Sequence, residues 1–232
     1  MTATKLDLAG EQVLLDPAGA LVWPARRLLA VSDLHLEKGS SFARRGMPLP
    51  PWDTHATLDR LARLLGRWAP ETVVALGDSF HDTGGAARMP GSEQDRLRAM
   101  TAAHRFIWVL GNHDPAPPEG LGGACAAVHT EGPLVFRHQA SDPEGSRAAG
   151  RVEGGEIVGH HHPKAMIQAR GGSVSRPCFV CDGRRLMMPA FGAYTGGLDV
   201  RNTAIRRLFP WGAQIFLLGQ ERLFTFSLSS GF

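Results

Sequence analysis

Leu28-Leu29-Ala30-Val31-Ser32-Asp33-Leu34-His35 is the stretch that decides the fold class: a short apolar run ends abruptly in a carboxylate and an imidazole. The same punctuation returns twice. Thr72–Leu76 runs into Gly77-Asp78-Ser79-Phe80-His81, and Phe106–Leu110 runs into Gly111-Asn112-His113-Asp114. Apolar runs of this length without polar alternation read as strands covered on both faces. Helical spacing fills the gaps between them. From Pro51 to Trp68, Leu58, Leu61, Leu64 and Leu65 mark one apolar face, and Pro70 closes the segment. Ser92 and Asp95 read as the start of a capping arrangement for a helix reaching about His104. Strands that end in polar clusters, with helices between them, make the βαβ rhythm of an α/β protein, whose sites lie beyond the carboxyl ends of its strands.

Outward from that centre, Gln12–Leu15 and Ala20–Trp23 flank the turn-rich tetrad Asp16-Pro17-Ala18-Gly19 and read as a hairpin. From Val128 onward the pattern becomes β-rich: Leu134–Arg137, Glu156–Val158, Ala165–Gln168, Arg185–Met188, Gln214–Leu218 and Leu223–Leu228. Between the first two of these, Gln139 to Gly155 is polar and Gly-rich and predicts an exposed, mobile loop. The chain has 232 residues, 43% of them hydrophobic, and a formal net charge of +3, which predicts one globular domain over residues 1–232 and excludes disordered and fibrous classes. No apolar run approaches the roughly 18 residues of a membrane span. The amino end carries no apolar run after Lys5 and does not read as a signal peptide. With only three cysteines a disulfide framework is not expected, so the expected location is cytoplasmic.

The polar clusters carry the chemistry. In order they are Asp33-x-His35, Asp78 with His81, Asn112-His113-Asp114, His138, and His160-His161-His162. On an extended chain a spacing of two puts side chains on one face, which pairs Asp33 with His35 and His160 with His162. Carboxylate, imidazole and one amide oxygen, without thiolate, form a hard-to-borderline ligand set. It suits two divalent cations sharing a carboxylate, about 3.5 to 4 Å apart, which activate water and clamp phosphoryl oxygens during in-line displacement.

This series resembles the calcineurin-like metallophosphoesterase superfamily over roughly residues 28 to 192. The resemblance implies a four-layer α/β sandwich, two mixed β-sheets flanked by helices. It also implies a division of ligands: Asp33, His35, Asp78 and His162 on the first metal, with Asp78 bridging to a second completed by Asn112, His138 and His160. His129 is the alternative to His138, and His161 is a bystander expected on the opposite face. His113 would protonate the leaving oxygen, with Asp114 holding its ring; His81 is similar to the corresponding residue of the superfamily's repair nucleases, where it contributes to diester cleavage.

A narrower likeness follows. Asp33-Leu34-His35-Leu36-Glu37-Lys38-Gly39, Leu134–His138 and Arg185–Val200 resemble the ligase-associated DNA damage response endonucleases, the PdeM family. That likeness implies a bacterial, manganese-dependent endonuclease acting on single-stranded DNA, linked with a repair helicase, a nuclease and a DNA ligase. With so modest a net charge, phosphate neutralisation would fall to local pairs: Arg44-Arg45, Arg184-Arg185 and Arg206-Arg207. The small-residue stretch Thr83–Ala87 within the loop Asp82–Gly91 is expected to border the strand's path, and Pro189–Gly197 to shape the substrate rim. Alternatives are a phosphomonoesterase with the same ligands, a diphosphate-cleaving lipid-precursor hydrolase, and a scaffold that has lost its metals. Cys178 and Cys181 form a lone C-x-x-C in a β-type setting, where a spacing of three puts them on opposite faces, so neither zinc nor redox chemistry is expected of them.

Overall fold

The computed structural model describes residues 2–116, 118, 120–141, 154–169 and 172–228. In the first sheet β1 (Thr4–Leu8), β2 (Glu11–Asp16) and β3 (Ala20–Trp23) are antiparallel neighbours leading into β4 (Leu28–Ser32). Parallel pairing then adds β5 (Thr72–Leu76), β6 (Arg105–Val109) and β7 (Ala124–Ala126) in sequence order. The second sheet begins with the antiparallel pair β8 (Val128–Glu131) and β9 (Leu134–Arg137), and β10 (Gly155–Val158) joins β9 in parallel. It is completed by β11 (Lys164–Ala169), β12 (Gly172–Cys181), β13 (Arg185–Met187), β14 (Ala213–Leu218) and β15 (Leu223–Leu228), in the order β15-β14-β12-β13-β10-β9-β8 with β11 paired to β12. Both sheets are mixed. The first half adds the helices α1 (Lys38–Arg44), α2 (Asp53–Trp68), α3 (Gly85–Arg88) and α4 (Gly91–Ala103), of which α2 and α4 are long enough to cover a face. A short helix, α5 (Thr203–Arg206), lies on the second sheet.

Three buried clusters define the layers. Trp23, Ala30, Leu76, Phe136, Phe179 and Leu186 belong to one cluster, so the sheets pack face to face. On the outer face of the first sheet, Val31, Val73 and Phe106 meet Leu58, Leu61 and Leu65 of α2 and Leu97 of α4. On the outer face of the second, Val158, Val180 and Met187 meet Ile205 of α5 and Phe209. β4 and β5 are therefore covered on both sides, which is why they read as unbroken apolar runs. Helix, sheet, sheet, helix is the expected four-layer sandwich.

Several local expectations change. Helix α4 starts at Gly91 after Pro90 with no side-chain cap, so Ser92 and Asp95 do not cap it; Asp95 binds Arg98 instead. The small residues after His81 are not an open loop: α3 forms there, and Arg88 clasps Asp82 through two hydrogen bonds of 2.8 and 2.9 Å. Most of the loop expected over Gln139–Gly155 lies outside the described residues. Cys178 and Cys181 do face opposite ways, one in the outer cluster of the second sheet and the other between the sheets. Burial pushes both thiols up, that of Cys181 to about 12, which keeps them protonated.

Candidate metal centre

Each polar cluster leaves a strand end and turns inward. After β4, Asp33 and His35 both take positive φ, 52° and 42°, and after β5 so does Asp78, at 42°. Beyond β10, His160 (71°) and His162 (47°) repeat the device. The side chains thus converge through left-handed kinks, not by sharing one face of an extended chain. Backbone bonds hold the kinks: Asp33 N–H donates to the Gly77 carbonyl, and those of His35 and Leu36 to Asp78 and Ser79. Space is kept by glycine. A Cβ on Gly77 would stand 2.1 Å from His138 Nδ1, one on Gly111 2.2 Å from Asp78 Oδ1, and one on Gly159 2.5 Å from Asp33 Oδ2.

Two sets of ligand atoms result. In the first, His162 Nε2 lies 3.2 Å from His35 Nε2 and 3.3 Å from Asp33 Oδ1. In the second, His138 Nε2 lies 3.2 Å from His160 Nδ1, 3.3 Å from Asp78 Oδ2 and 2.9 Å from Asn112 Oδ1. Asp78 Oδ2 is also 3.9 Å from His35 Nε2, so this carboxylate stands between the sets. His129, the alternative to His138, instead packs on Phe136 and faces Glu131. All seven ligand candidates selected from the sequence therefore meet in one place.

These residues fit a cation. Imidazole nitrogens aimed at one another repel unless a proton or a metal ion lies between them. The Nδ1 atoms of His35 and His138 are buried with no hydrogen-bond partner among the described residues. Burial drives the His35 imidazole down to about 3, so it presents a neutral lone pair. Burial opposes charge on His138 too, yet the carboxylates of Asp78 and Asp33 prevail and raise it. For Asp78, burial is outweighed by hydrogen bonds from His138 and the His113 amide, which hold its carboxyl well below the usual range. Ser32, which sequence reasoning passed over, has its Oγ 2.5 Å from Asp33 Oδ2 and 3.0 Å from the Leu76 carbonyl, and its single O–H donates to the nearer carboxylate, fixing it from behind. Its adjacency to Asp33 at the end of β4 was the available signal.

Beside the first set lies a third cluster. The His113 ring is centred 5.1 Å from that of His35 and 5.4 Å from that of His81, and His81 is 5.6 Å from His35. His113 Nδ1–H donates to the His81 carbonyl at 2.7 Å. Asp114 does not hold that ring. Its Oδ2 accepts from the amides of Ser79 (2.7 Å) and Phe80 (3.1 Å), and its Oδ1 from that of Gly111 (3.2 Å), so it ties the Asp78 loop to the Asn112 loop. Burial, with the amides of Ser79 and Phe80 opposing it, pushes the Asp114 carboxyl up to about 6. His161 stacks at 4.9 Å on His160 and belongs to none of the three ligand groups.

The arginine pairs separate. Arg44 and Arg45 end α1, whose Phe42 ring is 5.6 Å from His81, and both are exposed. Arg185 is committed: it binds Glu156 Oε2 at 2.6 Å, the Leu208 carbonyl and Ser141. It opens β13 level with Glu156, whereas the histidines follow the other end of β10, so Arg185 stands paired at the end of the strands away from them, and Arg184 beside it is exposed. Arg206-Arg207 lies at the end of α5, on the outer face of the second sheet. The Pro189–Gly197 segment packs behind the site: Phe191 and Gly192 amides donate to Ser32 and Asp33 carbonyls, and Arg60 stacks on Phe191 at 4.0 Å.

Residues 26–174 match the calcineurin-like phosphoesterase family. Among solved structures, the chain is similar to the nuclease MPE of Pseudomonas putida, at 24% identity over 97% of this chain and 100% of that one, with a TM-score of 0.72. A looser likeness is to Yfce, a phosphoesterase from E. coli, at 13% identity over 87% of this chain and 99% of that one, with a TM-score of 0.43. No curated protein sequence matches the chain. Among the described residues no helix is long and apolar enough to cross a membrane.

Proposed function

The chain belongs to the calcineurin-like phosphoesterase family, and on that premise we propose that residues 1–232 form one catalytic unit that cuts single-stranded DNA internally in DNA repair, with manganese as its metal. The observation that carries the diester reading is the cluster of His35, His81 and His113, three imidazoles within 5.6 Å centre to centre at one flank of the ligand sets. One imidazole can protonate the leaving oxygen while a second hydrogen-bonds the leaving group beyond it, an arrangement that suits a leaving group extended as a strand. The description of the similar Pseudomonas putida protein as a nuclease agrees with this.

In this reading Asp33, His35, Asp78 and His162 hold one divalent ion and Asp78, Asn112, His138 and His160 the other. Bound there, the two ions would supply an activated water and charge compensation for the phosphoryl oxygens. The protein's own work is orientation and proton transfer. The His81 carbonyl keeps the proton on His113 Nδ1, which leaves Nε2 to donate to the departing sugar oxygen. His81, driven down to about 4 by burial and by the charges of Lys38 and His113, stays neutral and serves as a hydrogen-bonding partner to the leaving nucleotide. A groove of about 340 Å³, lined by Asn112, Val128, Arg137, His138 and Gln139, leaves the other flank open to the rest of the strand. Low sequence preference follows, because among the described residues no element is shaped to read bases.

The test is cleavage of a closed circular single-stranded DNA with manganese, beside a phosphomonoester and a His113→Ala control. Linearisation that is absent in the control supports the reading. Turnover of the monoester alone would replace it with a phosphatase.

A further inference from the structure

Of 25 cationic side chains only three are lysines, Lys5, Lys38 and Lys164, and two of the three stand at the rim of the site. Lys38 opens α1 three residues beyond His35. Its ammonium is 5.7 Å from the centre of the Phe42 ring, and that ring is 5.6 Å from His81. Lys164 opens β11 two residues beyond His162, with its ammonium 3.4 Å from the Thr195 carbonyl in the segment that packs behind Asp33. Lys38 and Arg45 stand at the two ends of α1, on either side of Phe42, and the charge of Lys164 acts on Lys38 as those of Lys38 and Arg45 act on His81.

Among the described residues none of the three is tied in an ion pair, unlike several arginines of the same fold. Arg88 is paired with Asp82, Arg96 with Asp59, Arg185 with Glu156 and Arg201 with Asp199. Lys38, Arg45 and Lys164 make no ion pair among the described residues. Asp53, the acid that acts on Lys38, has its carboxylate engaged by the Gly39 amide. Lys38 and Lys164 are half-buried and Arg45 is exposed; like charges gathered on one rim work against the folded state, and an anion placed among them relieves that cost. The scissile phosphate is already served by the metal ligands and His113. The anion left for this rim is a neighbouring phosphate.

We propose that Lys38, Arg45 and Lys164 bind the backbone phosphate next to the scissile one, on the leaving-group side, and so select a polyanionic strand over an isolated diester. The proposal rests on the phosphodiesterase reading above and adds the direction in which the strand leaves the site. It also accounts for how a protein of net charge +3 engages nucleic acid: by three cations without an ion-pair partner, not by a basic surface.

The experiment compares kcat/KM on a short single-stranded oligonucleotide and on bis(p-nitrophenyl) phosphate for the wild type, Lys38→Gln/Lys164→Gln and Lys38→Arg/Lys164→Arg. In the Gln variant the oligonucleotide-to-diester ratio should fall about tenfold or more, equivalent to about 1.4 kcal/mol. The slope of log(kcat/KM) against log salt should flatten by about 0.7, the share of one neutralised phosphate on a single strand. Anisotropy of the labelled oligonucleotide in EDTA should show the same weakening without any metal, and the Arg variant should recover most of it. An unchanged ratio and slope, or equal losses on both substrates, would overturn the proposal while leaving the nuclease reading in place. A wild type that cleaves the small diester and never the oligonucleotide would remove both.

Discussion

Replacing Asp114 separates two roles for one carboxylate. If it held the His113 ring, Asp114→Ala would lower turnover and leave stability alone. Instead it accepts from three backbone amides, those of Ser79, Phe80 and Gly111, on a residue only 9% exposed. Truncation leaves the buried N–H groups of Ser79 and Phe80 and the part-buried one of Gly111 without acceptors, at about 1–3 kcal/mol each and about 6 kcal/mol in sum. Part of that is returned. A carboxyl raised from 3.8 to about 6 carries a cost of about 3 kcal/mol when ionised at neutral pH, and truncation removes it. The net expectation is a loss of about 3 kcal/mol, read as a lower urea midpoint for metal-free protein followed by far-UV circular dichroism. Cleavage should fall as well, because the Asp78 and Asn112 loops lose their tie. A variant within about 0.5 kcal/mol of the wild type but inactive would refute this reasoning and restore the ring-orienting role.

Two further outcomes follow from the same geometry. Gly77→Ala places a methyl 2.1 Å from His138 Nδ1 at a φ of +68°; it should cost about 1–2 kcal/mol in backbone strain and displace His138, so metal analysis should find fewer ions tightly held per chain than in the wild type, and an unchanged metal content would contradict it. For Asp82, burial is outweighed by the bonds from Arg88 and Ser41, and its carboxyl falls to about 2. A depressed folded value means stabilisation present above the usual 3.8 and lost as pH falls from about 4 towards 2. Discounted for partial exposure, Asp82→Asn should cost about 1 kcal/mol at pH 7 and almost nothing near pH 2, checked by urea midpoints across that range; a difference that stays constant with pH would rule this coupling out.

What could be read from residues alone divides along a physical line. β4 and β5 are legible because cover on both faces demands unbroken apolar runs, and the parallel crossover puts the polar residues at their ends. β1 is not, since its burial pattern leaves most of it partly or wholly exposed and its partner supplies the reason it is a strand. The sandwich is also hidden. Its second sheet pairs β12 with both β13 and β14, strands whose order no local pattern encodes. Arg185 looked like free charge because an acid 29 residues away, Glu156, comes within reach only once β10 and β13 are side by side.

The candidate site was legible in its membership and not in its geometry. A spacing of two on an extended strand does point two side chains the same way, and it picked out Asp33 with His35 and His160 with His162. Five of the seven ligand candidates nevertheless sit at positive φ, a conformation costing roughly 1–2 kcal/mol for a residue with a Cβ. Such strain persists only where the surroundings over-determine it. Here they do: Asp33, His35 and His160 each have the backbone amide engaged, with Gly77, Asp78 and the Asp33 carboxylate respectively. Gly77, Gly111 and Gly159 leave room for no side chain where the loops cross. The donors are thus held facing one another before any ion arrives, against backbone strain and the cost of crowding buried imidazoles and carboxylates together. Binding a divalent ion would relieve the second of these, so metal affinity and fold stability are linked through the same five residues.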